Sequence, residues 1–424
     1  MTRPHFDRII VIGAGAAGLI AAPELGRAGR QVTILEARDR CGGRIHPLPL
    51  ADFGYPAEGG AEFVHGEAPV THALLREAGL SLLPLQGTTW TMEDGQFAPE
   101  DSEDPHEAEL HKALHGLKDD LTVAQFLRRR FAAPEYRGLR HSILQMVEGY
   151  DAADPERAST LALRDEWMDG GDHAQARIVG GYGGLVEYLA AECRKHGVAI
   201  HLGSAVSAIE STNGRAVVRC ASGDTHEGDA VILTVPLPLL KQIVLPAAER
   251  ERAAAAAGIG FGNVIKILLR FETAWWLDQR SDLDDLTFLL SEARIPVWWT
   301  QHPADLPVLT GWFGGPKTAA LADLGEPELI EAGLASLAEI FGLDPGKLKR
   351  RLVAARAINW AQDSLARGAY SYATPETRAA QAVLSRMDGG TIFFSGEALY
   401  RGRDMGTVEA ALACGLETAR SLIG

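Results

Sequence analysis

Residues 8–40, RIIVIGAGAAGLIAAPELGRAGRQVTILEARDR, leave little freedom in how this chain folds. A β-branched apolar run (Ile9–Ile12), a glycine turn, an alanine-rich helix and a second strand (Val32–Leu35) make a βαβ unit of about 30 residues. Such a unit commits both strands to one parallel sheet, because the helix carries the chain back to the starting edge. Gly13, Gly15 and Gly18 are spaced G-x-G-x-x-G between strand and helix. The first permits the tight turn, the second lets backbone approach a pyrophosphate, and the third lets helix and strand pack closely. The helix N-terminus adds N–H groups and partial positive charge for the phosphates. Glu36 closes the second strand, where a carboxylate accepts ribose hydroxyls and repels a 2′-phosphate, which disfavours NADP. The unit reads as a dinucleotide site with Gly13, Gly15, Ala17, Gly18 and Glu36 as candidate contacts, and it suits FAD and NAD alike.

The rest of the chain limits the setting. At 424 residues, 46% of them hydrophobic and 23% charged, there is material for two or three soluble domains. A net charge of −15 argues against nucleic acid and anionic membranes as partners. Cys41, Cys193, Cys220 and Cys414 show no CxxC pair and no metal-ligand spacing, so reduced thiols, no metal and a cytoplasmic location are expected. No apolar run of about 18 residues suggests a membrane span, and MTRPHFDRII leaves no room for a signal peptide. Residues 100–177 read as largely helical, opening on the acidic EDSEDPHEAEL as a solvated loop or helix start. Strands follow at Ala230–Val235, ended by Pro236, and at Thr391–Phe394, with a closing helix from Thr407. In GFGNVIKILLRFE (260–272), alternation puts Val264, Lys266 and Leu268 on one strand face and Ile265, Ile267 and Leu269 on the other. A lysine there demands a partner. With no repeats and no linker, the domains are expected to interleave.

Several blocks taken together carry a resemblance. LEARDRCGGRIHP (35–47), EGGAEFVHG (58–66), GSAVSAI, GFGNVIKILLRFETAWW, INWAQDSLARGAYSYATP and IFFSGEALYRG…MGTVEAALACG occur in the order and spacing of the flavin-containing amine oxidases of the monoamine and polyamine oxidase type. The sequence resembles that superfamily in its cofactor-contacting blocks and not over about residues 85–175. The resemblance implies an α/β fold, a Rossmann-like FAD-binding domain interleaved with a mixed-sheet α+β substrate domain. Residues 1–80, 178–262 and 385–424 would form the first, and 81–177 and 263–384 the second. It also implies FAD, held by Glu36 at the ribose and by Arg38, Gly43 and Arg44 at the adenine side and pyrophosphate. Gly60, Ala61, Glu62 and Phe63 would lie beneath the isoalloxazine, with Glu62 contributing backbone. Val206 would touch the adenine; Trp360, Gly396, Glu397, Thr407 and Val408 complete the expected cradle.

The chemistry implied is hydride transfer from the carbon beside an amine nitrogen to flavin N5, giving an imine, with O₂ returning flavin to its oxidised form as H₂O₂. Lys266 falls where the family holds a water against N5, and Tyr370 matches one wall of the aromatic cage. His65, Thr407 and Trp312 are the candidate substrate contacts. Two departures stand out. Ala369 replaces the cysteine through which monoamine oxidases attach flavin, so non-covalent FAD is expected, and Thr407 replaces the second cage aromatic. An L-amino-acid oxidase would want an arginine where Phe63 stands. A desaturase or porphyrinogen-type oxidase, and a non-catalytic flavin sensor, are the other readings; a homodimer is compatible with all of them.

Overall fold

The computed structural model describes residues 6–100, 105–168, 175–212, 214–387 and 390–424; the opening MTRPH and part of the acidic stretch lie outside them. The βαβ unit forms as read, with β1 at Arg8–Ile12, α1 at Ala16–Arg27 and β2 at Gln31–Leu35. β1 pairs in parallel with β2 on one side and with Ala230–Leu233 on the other. The complete sheet runs Ile392–Phe394, Ala230–Leu233, β1, β2, Ala199–His201, every pair parallel. A parallel sheet is covered on both faces, which is why RIIVI and AVIL show no polar alternation. Ile9 and Val11 enter one core with α1, the helix Tyr182–Lys195 and the closing helix Val408–Ile423. Ile10 and Ile12 enter another, beneath the antiparallel strands Val206–Thr212, Arg215–Cys220 and Thr225–Gly228.

A second, mixed sheet of seven strands holds the lysine strand Val264–Phe271 between Leu352–Asn359 and Val308–Gly314. It continues through Val297–Trp299, Leu286–Ser291, Thr88–Glu93 and Gln96–Pro99. The alternation expected for the lysine strand is present. Ile265, Ile267 and Leu269 pack into a core with Trp275, Trp298 and the helix Glu326–Phe341, and Lys266 stands on the other face, only 1% exposed.

Among its described residues, the region read as helical contains four α-helices, Glu107–His115, Val123–Arg130, Arg137–Gly149 and Thr160–Met168, around a core that Tyr372 joins from outside. Its end departs from the reading. Gln175–Ile178 is a strand, because Phe63–His65 and Leu82–Pro84, roughly a hundred residues upstream, supply antiparallel ladders on both sides. No helix among the described residues is long and apolar enough to cross a membrane.

Candidate active site

One cavity of about 2150 Å³ runs from the glycine loop to the second sheet. At its first end the backbone does the shaping. Gly13 has φ +106, and a Cβ there would lie 2.7 Å from Thr234 Oγ1. A Cβ on Gly15 would meet nothing within 4 Å, so bare backbone faces the cavity. Gly18, read with the loop as a contact, does not border the cavity; a Cβ there would sit 2.0 Å from the Gly13 carbonyl oxygen, and its part is to bring α1 against β1. Glu36 is 6% exposed and accepts from the Ala14 and Arg38 backbone amides at 2.7 and 2.8 Å, which fixes its carboxylate at the cavity wall. Arg38 donates to Asp363 at 2.8 Å. Arg44 Nη1 donates to Ala369 O at 2.7 Å and Glu397 Oε1 at 2.9 Å, while Glu397 Oε2 accepts from Ser371 Oγ. Glu397 therefore spends its carboxylate holding Arg44 in place. Ala17, Gly43, Val206, Gly396, Thr407 and Val408 border the same cavity. The bare glycine edge, the fixed ribose-height carboxylate and the anchored guanidinium fit a dinucleotide.

Further along, Gly60 leaves no room for a side chain, since a Cβ would lie 1.9 Å from Arg44 O and 3.2 Å from the Trp360 ring. Ala61, Glu62 and Phe63 follow it along the wall. Beyond the backbone role expected for it, Glu62 has an engaged side chain. Its side chain, 7% exposed, accepts from Lys266 Nζ at 2.8 Å, Arg177 Nε at 3.0 Å, Trp299 Nε1 at 3.1 Å and Gln301 Nε2 at 3.1 Å. Burial pushes this carboxyl up, but Lys266 and Arg177 outweigh burial and lower it to about 2. The partner demanded by Lys266 is thus a carboxylate, together with the Gly60 carbonyl oxygen at 3.1 Å. Trp299 and Trp312 border the cavity, whereas Trp275, Trp276 and Trp298 belong to the core. Trp312 Nε1 donates to Gly149 O at 2.7 Å.

Tyr370 Oη donates to Tyr150 O at 2.6 Å, and Tyr150 Oη lies 3.0 Å from His65 Nδ1. Burial lowers His65 to about 4. Asp151, Glu166 and Asp404 border this part of the cavity. Burial, then the charge of Glu166, raises Asp151; burial, then Asp404, raises Glu166 to about 7. Thr407, at the position of the absent second aromatic, caps the closing helix: its Oγ1 accepts from Ala410 N at 3.1 Å and donates to Asp404 O at 2.6 Å.

Tyr150, Asp151 and Glu166 come from the stretch that resembles no family block and Arg177 lies just beyond it; the sequence pattern singles out none of the four. Only Arg177 left a trace, as the single cation in an otherwise uncharged QARI strand.

Fold and cavity define a protein that holds an extended dinucleotide against an aromatic, charged chamber. Residues 16–423 match the profile of the flavin containing amine oxidoreductases, and the chain belongs to that family. A lysine-specific histone demethylase 1 homolog 3 of Arabidopsis thaliana is 27% identical across 98% of this chain and 30% of its own length. A probable polyamine oxidase 4 of the same plant is 31% identical across 63% of this chain and 59% of its own. The chain thus spans less than two thirds of these curated relatives. Among solved structures, putrescine oxidase bound to putrescine superposes with a TM-score of 0.79 at 22% identity, complete in both chains. Cyclohexylamine oxidase from Brevibacterium oxydans IH-35A gives 0.77 at 21%, over 99% of each. These two likenesses establish the fold.

Proposed function

We propose that the protein holds FAD non-covalently and oxidises an amine that carries a second cationic group, a diamine or polyamine. The product is an imine that hydrolyses to an aldehyde and an amine or ammonia. The observation that carries this reading is the continuity of one cavity from the glycine cradle to a chamber with aromatic walls and a carboxylate-rich far side. The flavin, when bound, supplies the two-electron chemistry: it takes a hydride from the carbon beside nitrogen and passes electrons to O₂, yielding H₂O₂.

The chain's own residues do the rest. Gly13, Gly15, Glu36 and Arg44 would hold pyrophosphate and ribose, and Gly60, with no room for a side chain, would leave bare backbone on the cavity wall for the flavin. Ala369 offers no thiol, which is why attachment is non-covalent. Tyr370, Trp299 and Trp312 exclude water around the reacting nitrogen and lower its affinity for a proton, so that the neutral amine is presented. His65, held by Tyr150 and kept unprotonated at neutral pH, adds no competing positive charge beside that nitrogen. Asp151, Glu166 and Asp404 receive the distal cation, whose charge offsets the repulsion among them. We assign the cofactor half to residues 1–80, 178–262 and 385–424 and the substrate half to 81–177 and 263–384, in a cytoplasmic protein whose reading is compatible with a homodimer.

An α-amino acid substrate would need a free guanidinium. Arg177 stacks over Phe63 at 4.8 Å, but its donors are engaged by Glu62, Thr300 O and His302 O. The test is a panel of diamines, polyamines, aryl-alkylamines, cyclic amines and L-amino acids, scored by peroxide release and by anaerobic bleaching of the flavin. Diamines or polyamines should lead; a protein that stays colourless after incubation with FAD, or bleaches only with L-amino acids, refutes the assignment.

A further inference from the structure

We infer that Glu62 is a positioning residue for Lys266, and that the two, with Arg177, set the electrostatic potential of the cavity wall on which the flavin lies. The inference rests on the FAD reading above. The geometry is a clamp drawn from four parts of the chain. Glu62 follows the Gly60 turn, Lys266 stands on the second strand of the seven-stranded sheet, and Trp299 and Gln301 come from its fourth strand, beyond Val308–Gly314, and the loop after it. Arg177 reaches in from the strand paired with Phe63–His65, where it lies directly opposite Phe63.

A carboxylate offers about four lone-pair sites, and Glu62 fills its own unequally. Oε1 accepts from Arg177, Trp299 and Gln301, and Oε2 accepts from Lys266. Three donors on one oxygen fix the plane of the group and so fix where Oε2 points. Lysine has four rotatable side-chain bonds and a compact ammonium that goes where its acceptors are. Its three N–H groups are apportioned here: one to Glu62, one to Gly60 O, and one left for the cavity that Lys266 borders. Removing the carboxylate would leave this ammonium to Glu58, a buried carboxyl that burial raises to about 7 against the opposing pull of Lys266.

Charge adds a second consequence. Lys266 and Arg177 against Glu62 leave one net positive charge while the neighbouring Glu58 keeps the proton that burial favours on it, and a largely buried charge acts at higher strength than one in water. A cationic wall favours electrons arriving on a neighbouring group.

The experiment uses the FAD-loaded full chain and no amine. The flavin is photoreduced under argon, its midpoint potential is read against dyes, and its reoxidation is followed after mixing with air-saturated buffer. Glu62→Gln removes the negative charge at nearly constant volume. The potential should shift to more positive values, and reoxidation should slow on the order of tenfold, as expected when a positioned group moves by a fraction of an ångström. Gln301→Leu deletes one neutral donor and leaves every charge in place; reoxidation should slow about fivefold, the worth of one hydrogen bond, with the potential unchanged. A Glu62→Gln holoprotein with wild-type potential and reoxidation overturns the inference and leaves Glu62 a structural residue. Should that variant not fold, an unchanged reoxidation rate in Gln301→Leu overturns it equally. Failure of the FAD reading would look different, since the wild-type chain itself would take up no flavin.

Discussion

The two ends of the cavity are built on opposite plans. The dinucleotide end is made by backbone within a short span: thirty or so residues from β1 to Glu36 turn, cap and close a site whose geometry depends on the absence of side chains. The chamber end is made by side chains from residues 62, 150, 266, 299 and 370, with Arg177 behind Glu62, and these meet only once distant parts of the chain have come together. The first fails by crowding. The second fails by leaving buried charge without a partner. That difference predicts which substitutions each end will tolerate.

The largest effect is expected where charge is buried. Arg177→Met strips Glu62 of one cation and leaves the Thr300 and His302 carbonyls without their donors. Breaking a buried pair from one side costs about 3 kcal/mol or more, and thermal unfolding should show the loss whether or not flavin is present. Gly18→Ala is the matching insult at the other end. Its methyl would stand 2.0 Å from the Gly13 carbonyl oxygen, which is backbone and can yield only if the loop moves. Overpacking of this kind costs about 1–3 kcal/mol. The signature should be a low ratio of flavin to protein at 450 nm, out of proportion to any fall in melting temperature. If Gly18→Ala loads flavin normally, the cradle is more pliable than its glycines imply.

The same contrast explains what could be read from the sequence. Gly13, Gly15 and Glu36 announce themselves because spacing along the chain and spacing in the folded site coincide when only one turn and one helix intervene. The lysine strand is legible too, since period-two alternation survives in any sheet, and a lysine in an apolar strand calls for a partner whatever that partner is. Which partner was not legible. Glu62 lies 204 residues upstream of Lys266, on a segment whose local pattern is a glycine turn, and nothing in EGGAEFVHG distinguishes a carboxylate aimed at a lysine from one aimed at solvent. Tyr150, Asp151 and Glu166 were hidden for a further reason. They sit at and after helix ends in a region whose pattern reports only its own small core, and a cavity-facing carboxylate there looks like any surface acid.

The chamber's acids give the third prediction. Glu166 is raised to about 7, so it is largely protonated at pH 6 and ionised at pH 8. The KM for a diamine should therefore fall as pH rises through 7 beyond what the neutral fraction of its reacting amine accounts for, while a monoamine of equal length shows no such excess. Glu166→Gln should remove that excess and raise the diamine KM about tenfold, in keeping with a charge-assisted contact. For stability the sign is reversed. The folded-state value lies above the ordinary 4.5, so the folded chain retains a proton that the unfolded chain releases, and this group's contribution is lost as pH climbs from about 4.5 to 7. A diamine KM flat across this range would detach Glu166 from the substrate.

Thr407 provides the smallest and finest test, because it belongs to both plans. As the cap of the closing helix it works as the cradle does, satisfying a backbone N–H (Ala410) through a short local contact; as a cavity residue it occupies the place of a missing aromatic wall. Thr407→Ala deletes the cap and leaves the wall equally open. Loss of an N-cap costs about 1 kcal/mol, which in a chain of this size lowers the melting temperature by only a few degrees. Thr407→Ser keeps the hydroxyl and should restore it. If the role is the cap alone, the KM for amines stays within about twofold in both variants. If instead the threonine methyl packs against bound substrate, Ser and Ala will share a raised KM while differing in stability, and the chamber will have claimed a residue whose hydroxyl caps the helix and ties it to the Asp404 loop.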